Sequence, residues 1–240
     1  MRYLSRHDLQ RIADRVVAAY WKLPDAQVES YRIVPELLLN QVLGLEIEHR
    51  CLSRDGRTLG LTSFDEIGVE VYGSKSEDIF FLDGKTVLIE KALQESSKVG
   101  RYHFTVVHEG CHHVLNMLYP ESYGSGVNER RVIAYRSGQH RSTNRDWEEW
   151  QVDTMTSYVL MPIPLLMKNL SRCGITEPIR VLNAVYRRQE YQKFEQVSEL
   201  MGVSKQALAI RMMQLGLLEK SYLGNPYDLV RVYVEDGELE

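Results

Sequence analysis

An α+β fold is predicted by three features of the chain. Five short strand-like segments, punctuated by turn residues, lie between Leu45 and Glu90. Two helical segments follow, one around His108 to His112 and one around Glu149 to Asp153. From about Ser171 the composition becomes helical and charged. Together they predict a small, mostly antiparallel sheet packed on the two helices, with a helical C-terminal segment spaced like a helix-turn-helix. At 240 residues the chain has room for one sizeable domain with a smaller appendage, and the composition change places the boundary between 1–170 and 171–240.

The elements follow in order. Ser5 and Asp8 have capping-box spacing, and Leu9, Ile12, Val16 and Tyr20 recur at helical spacing, so a helix is expected to Tyr20, closed by Pro24. Pro35 starts a short helix that runs to Leu43 and stops at Gly44. Leu45 to Cys51, Thr58 to Thr62 and Ile67 to Tyr72 read as strands. Asp78 to Leu82 and Lys85 to Glu90 flank Asp83-Gly84, a two-residue hairpin signal that predicts their pairing. A helix is expected over Val99 to Leu118, with Phe104, Val107, Cys111, Leu115 and Leu118 as its buried stripe and Pro120 as its stop. Glu121 to Arg145, rich in glycine and arginine, reads as a long functional loop that gates the site. A helix from Asp146 to Leu160 ends at Pro162 and Pro164. Pro178 to Arg188, Tyr191 to Met201 and Lys205 to Leu215 read as helices, the last capped by Ser204. Leu229 to Val234 reads as a strand in an extended tail.

The chemistry centres on His108-Glu109-Gly110-Cys111-His112. On a helix, residues four apart share a face, so both imidazoles can reach one metal ion and Glu109 can hold a water beside it. A hydrolytic zinc site needs three protein ligands and one open position. Glu149, on the helix after the loop, is the candidate third ligand. Asp153 lies four residues further on the same face and can accept the outer N–H of His108 or His112, which fixes the imidazole tautomer. Glu109 is then the general base and proton carrier of a peptide hydrolysis. Tyr123, Tyr135, His140 and the loop arginines are candidate donors to the developing oxyanion. His113 points about 100° away from the ligand pair and reads as a surface or loop contact. Cys111 reads as a core thiol, His103 as structural, and Trp147 and Trp150 as packing residues.

Composition bounds the rest. The net charge of −4 gives no global pull toward nucleic acid or anionic membrane. The longest apolar run, Tyr158 to Met167, is short and broken by prolines, so no membrane span is expected. MRYLSRHDLQ lacks the apolar core of a secretory signal, and three dispersed cysteines (Cys51, Cys111, Cys173) fit reduced thiols, so a cytoplasmic setting is expected. The helix-turn-helix spacing of 194–215 raises DNA binding as an alternative role. Its second helix carries only Lys205 and Arg211 as cations, so packing or substrate docking is the stronger reading. A regulator that binds DNA, a repressor or a toxin–antitoxin partner without cutting it is the competing function.

These residues also carry a resemblance. FFLDGKTVLIEKAL (80–93), RYHFTVVHEGCHH (101–113), EWQVDTMTSYVLMP (149–162) and VSKQALAIRMMQLGLL (203–218), together with LLLNQVLGLEIEH (37–49), resemble the ImmA/IrrE family of metallo-endopeptidases. The resemblance implies a zincin-like fold and one zinc ion held by His108, His112 and Glu149, with Glu109 as the catalytic base. It also implies a protein substrate: a helix-turn-helix repressor of a mobile element or stress regulon. The stretch between His112 and Glu149 is longer and richer in arginine than is usual in that family.

Overall fold

Ser5 and Asp8 form the capping box that their spacing predicts. The Ser5 hydroxyl accepts from the Asp8 amide at 3.2 Å, and the Asp8 carboxylate accepts from the Ser5 amide at 3.1 Å. They open α1 (Arg6–Tyr20) in the computed structural model, which describes residues 3–73, 77–123, 132–136 and 144–230. The buried stripe of α1 is Leu9, Ala13, Val17 and Tyr20, with Ile12 and Val16 only half-buried at its flank. Next, α2 (Pro35–Leu37) runs into a six-residue π-helical segment, Leu38–Leu43, where an ordinary short helix was expected.

The strands are β1 (Glu46–Arg50), β2 (Thr58–Ser63), β3 (Glu66–Tyr72), β4 (Glu77–Asp83) and β5 (Thr86–Glu90). Their pairing departs from the expected hairpin. β4 pairs antiparallel with β3 in a separate two-stranded sheet, while β5 lies between β1, its parallel neighbour, and β2, its antiparallel one. Asp83-Gly84 is therefore a change of sheet. The Asp83 carboxylate accepts from the amides of Lys85 (2.9 Å) and Thr86 (2.8 Å), and Gly84 takes φ 77°. These local bonds are satisfied whichever strand the chain joins next. Burial decides the pairing: all five residues of β5 are buried, which requires a central place, whereas β4 leaves Ile79 and Phe81 exposed. Leu61 and Leu88 of the larger sheet and Val69, Val71 and Leu82 of the smaller form a second core between the two.

The motif helix is α3 (Val99–Leu118). It packs on β2, β5 and α5, so residues 105–112 are buried all round instead of along a single stripe, and Leu118 is exposed. Pro120 starts a further short helix, α4 (Pro120–Tyr123). The expected long loop contains a strand, β6 (Val132–Arg136), which pairs antiparallel with β2 and completes the sheet order β1-β5-β2-β6. Val132-Ile133-Ala134-Tyr135 has strand-forming residues, and the flanking arginines hide them in the sequence. The remainder of that loop, with Arg130, Arg131, His140 and Arg141, lies outside the described residues, as does the tail beyond residue 230. Leu229 itself belongs to a 3-10 turn, not to the expected strand.

The glutamate helix is α5 (Asn144–Leu160). Pro162 and Pro164 stop it and also start α6 (Ile163–Arg172), a helix the sequence does not announce. Where a helix was expected over Pro178 to Arg188, the chain forms β7 (Ile179–Leu182), parallel to β8 (Leu218–Ser221). Asn183 ends β7, its side-chain oxygen accepting from the amides of Val185 and Tyr186 at 2.9 Å each. Then come α7 (Arg188–Met201) and α8 (Lys205–Gln214), with Ser204 as the N-cap that its position predicts and Gly202 at φ 64° between them.

The fold is thus mixed α+β with small, mostly antiparallel sheets. The main apolar core continues across residue 170: Leu115, Met155 and Leu166 share one cluster with Phe194, Met201 and Leu208. Among the described residues no helix is long and apolar enough to cross a membrane, and Cys51, Cys111 and Cys173 are free thiols.

One close approach ties the motif helix to α8. A Cβ on Gly100 would lie 2.4 Å from the Ser204 amide nitrogen and 2.7 Å from the Val203 carbonyl carbon, both backbone atoms. Gly100→Ala is expected to destabilise the protein by about 1–3 kcal/mol, the usual cost of overpacking, measured by urea unfolding. An unchanged midpoint would mean that this contact gives way freely.

Candidate metal centre

Three side chains converge where α3 crosses α5. His108 and His112, one helical turn apart, bring their Nε2 atoms to 3.1 Å from each other. From α5, Glu149 places Oε2 at 3.3 Å from His108 Nε2 and Oε1 at 3.7 Å from His112 Nε2. One ligand atom from each of the three residues falls within 4.8 Å of the others, so the group could hold a metal ion. Both histidines are buried and the Glu149 side chain is 18% exposed, which leaves the site open on the carboxylate side.

The Asp153 carboxylate lies 3.1 Å from His108 Nδ1, within hydrogen-bonding distance. The choice that the sequence leaves open between His108 and His112 thus falls on His108, whose outer nitrogen faces Asp153 while its inner nitrogen faces the cluster. Burial opposes charge on His108, but Asp153 and Glu149 outweigh it and hold the imidazole up to about 10. Two carboxylates around one ring call for a positive charge between them. A proton supplies it in the free protein, and a cation on Nε2 would supply it instead, so metal affinity rises with pH.

Glu109 is fully buried, and among the described residues neither of its carboxylate oxygens has a hydrogen-bond partner. Burial pushes its carboxyl up to about 8, with His108 acting against the shift and Glu149 adding to it. An unpartnered buried carboxylate is costly unless something completes it, and a water shared with a metal ion at the triad would do so. The donor set and this orphaned carboxylate both fit a resident cation. Gly60 makes the room: a Cβ there would lie 2.2 Å from Glu109 Oε1 and 2.9 Å from Thr105 Cγ2. Gly60 does not stand out among the site residues in the sequence, although an isolated glycine inside a strand pattern is a known sign of close approach.

Of the candidate oxyanion donors, Tyr135 reaches the cluster. Its ring centroid is 4.1 Å from that of His108, and it is paired with Gly60 across β2 and β6. Tyr123 does not: it is buried beside Tyr119 and does not border the open cleft. His140 lies outside the described residues. His113 faces away from the triad, as its position on the helix predicts, with Nε2 at 2.6 Å from the Thr62 hydroxyl and its ring edge-on to Phe64. Cys111 is a core thiol, raised to about 12 by burial, and His103 sits at 2.8 Å from the Gly202 carbonyl, a structural contact. Trp150 is half-buried on α5, while Trp147 is half-exposed and packs edge-on against Tyr3.

No protein-family model matches the chain, and no curated protein matches it significantly.

Two outcomes are expected. Asp153→Asn should weaken metal binding by about 10–100-fold in a chelator competition titration, the usual effect of losing a ligand's carboxylate partner. Undiminished affinity would show that Asp153 does not support His108. Burial lowers the His113 imidazole to about 4, against about 6.5 in an unfolded chain. The unfolded state takes up this proton first, so the stabilisation is full above pH 6.5 and is lost as the pH falls from 6.5 toward 4. Urea unfolding at stepped pH should show the wild type losing stability over that window relative to His113→Asn, and parallel curves would contradict this.

Proposed function

We propose that the protein is a zinc-dependent endopeptidase that hydrolyses a peptide bond in a protein substrate. The observation that carries the reading is the buried, unpartnered carboxylate of Glu109 beside a three-ligand cluster. A purely structural zinc site closes with four protein ligands and needs no base, whereas three ligands and a base are the composition of a hydrolytic one. The N₂O donor set of two imidazoles and a carboxylate suits zinc, and the resemblance to the ImmA/IrrE metallo-endopeptidases, with their zincin-like fold, points the same way.

His108, His112 and Glu149 would hold the ion. When bound, it supplies a Lewis acid and lowers the pKa of a water it carries. Glu109, whose oxygens have no hydrogen-bond partner among the described residues, would take a proton from the attacking water at its carboxylate and deliver it to the leaving amine as the C–N bond breaks. Asp153 keeps His108 oriented, with Nε2 toward the cluster. Tyr135, whose ring lies beside His108 on the strand that borders the cleft, is the candidate hydrogen-bond donor to the oxygen that develops charge.

The expected substrate is a helix-turn-helix repressor, by resemblance, and the expected setting is the cytoplasm, by the dispersed cysteines and the absence of an apolar signal core. DNA reading by 194–215 draws little support. Arg211 is only 2% exposed; its guanidinium lies over the Tyr158 ring at 4.2 Å, with Nη2 donating to Gln10 at 3.2 Å. Lys205 pairs with Glu195 at 2.8 Å. Arg211 is therefore engaged within the protein, and Lys205 is held in a surface ion pair, so α8 offers little to a phosphate backbone.

The test is incubation with a candidate helix-turn-helix repressor, sought first among the genes beside this one, with any cut mapped by mass spectrometry. The zinc-loaded wild type should give a defined cut. Glu109→Gln should keep the metal and lose on the order of 10²–10⁴-fold in rate. Gly60→Ala, which crowds Glu109 without touching a ligand, should keep the metal and fall between the two. Cutting by Glu109→Gln at the wild-type rate would refute the assignment.

A further inference from the structure

A cavity of about 700 Å³ opens beside the metal cluster, a volume typical of ligand clefts. Glu149, Asp153 and Tyr135 border it on the cluster side. The first turn of α3, the end of β6 and one face of α8 supply the remaining walls, with Arg101, Arg136, Gln206 and Ile210 among their side chains. α8 therefore forms a wall of the same cleft that serves the metal site.

The charge in this cavity is divided. Its two carboxylates, Glu149 and Asp153, face His108. Its two cations, Arg101 and Arg136, are exposed, and neither makes an ion pair among the described residues. Their setting adds to the positive field. α3 and α8 both begin at this cavity, their backbones meet at Gly100 and Ser204, and neither has an acidic residue in its first turn. The cavity and its two guanidiniums, unpaired among the described residues, carry the inference, and the helix ends only strengthen it.

We propose that this cavity is a substrate subsite for an acidic side chain, whose carboxylate is held by Arg101 and Arg136 while its stem lies toward Ile210. The proposal rests on the peptidase reading and extends it to sequence preference. Arg101 precedes His108 by seven residues, about 10 Å along the helix axis. An extended peptide rises about 3.3 Å per residue, so the preferred acid lies about three residues from the bond that is cut. In this arrangement α8 selects substrate by walling the cleft.

The test uses full-length Glu109→Gln protein loaded with zinc, so that binding is read without cleavage. Fluorescein-labelled tetraglutamate and tetraglutamine are titrated by fluorescence polarisation, with glutarate as an unlabelled competitor. Tetraglutamate should bind at least about 10-fold more tightly, equivalent to ~1.4 kcal/mol. Arg101→Gln and Arg136→Gln should each remove most of that preference. Arg180→Gln, an exposed arginine on β7 away from the cavity lining, should leave it unchanged. Equal binding of the two peptides, or a preference indifferent to both arginines, would overturn the proposal. Competition by glutarate as strong as by tetraglutamate would assign the seat to a free small carboxylate and overturn the substrate assignment. Because no cutting is read, failure here is distinct from failure of the peptidase reading, which shows as absent zinc or Glu109-independent cleavage.

Discussion

The His108 imidazole is wholly buried between two carboxylates of a neighbouring helix, Asp153 at Nδ1 and Glu149 at Nε2. A positive charge on the ring stabilises both carboxylates, and the ring cannot turn without losing one of them. This constraint sets the crossing of α3 and α5, because Glu149 and Asp153 are one turn apart and must straddle a single ring. It also sets His112, one turn along α3, facing the second oxygen of Glu149 at 3.7 Å. The rest of the fold holds that crossing in place.

Support comes from three sides. β2 and β5 pack on α3 as α5 does, and Gly60 on β2 leaves the gap into which Glu109 fits. α1 packs along α5, and the buried amide of Leu4 donates to Gln151 at 2.7 Å, anchoring the chain start to the glutamate helix. α8 closes the third side, fastened by Arg211 across to Tyr158 and Gln10 and by the backbone contact at Gly100. A residue that looks like a DNA contact in sequence is thus a clamp between helices. The cleft left between α3, β6, α5 and α8 is the space a substrate would use.

Much of the site was legible in the sequence because its signals are local. The four-residue spacings of His108 with His112 and of Glu149 with Asp153 each fix a helical face, whatever the fold around them. Which histidine Asp153 would face was not legible, since that depends on how two helices separated by a long connection cross. Strand pairing failed for the same reason. Asp83-Gly84 describes a turn correctly and says nothing of the partner, which the burial of β5 decides. Ile179 to Leu182 becomes a strand only because Leu218 to Ser221 lies alongside it. Tyr135 could be chosen from the donor candidates only once β6 was seen to pair with β2 and bring its ring to His108.

The proposed open metal site is made of two imidazoles and one carboxylate. X-ray absorption at the zinc edge of the reconstituted protein tests it most directly. The expected spectrum shows about four nitrogen or oxygen neighbours near 2.0–2.1 Å, with the multiple scattering of two imidazoles. A sulfur shell near 2.3 Å, a single imidazole or none, or the absence of stoichiometric zinc would contradict it.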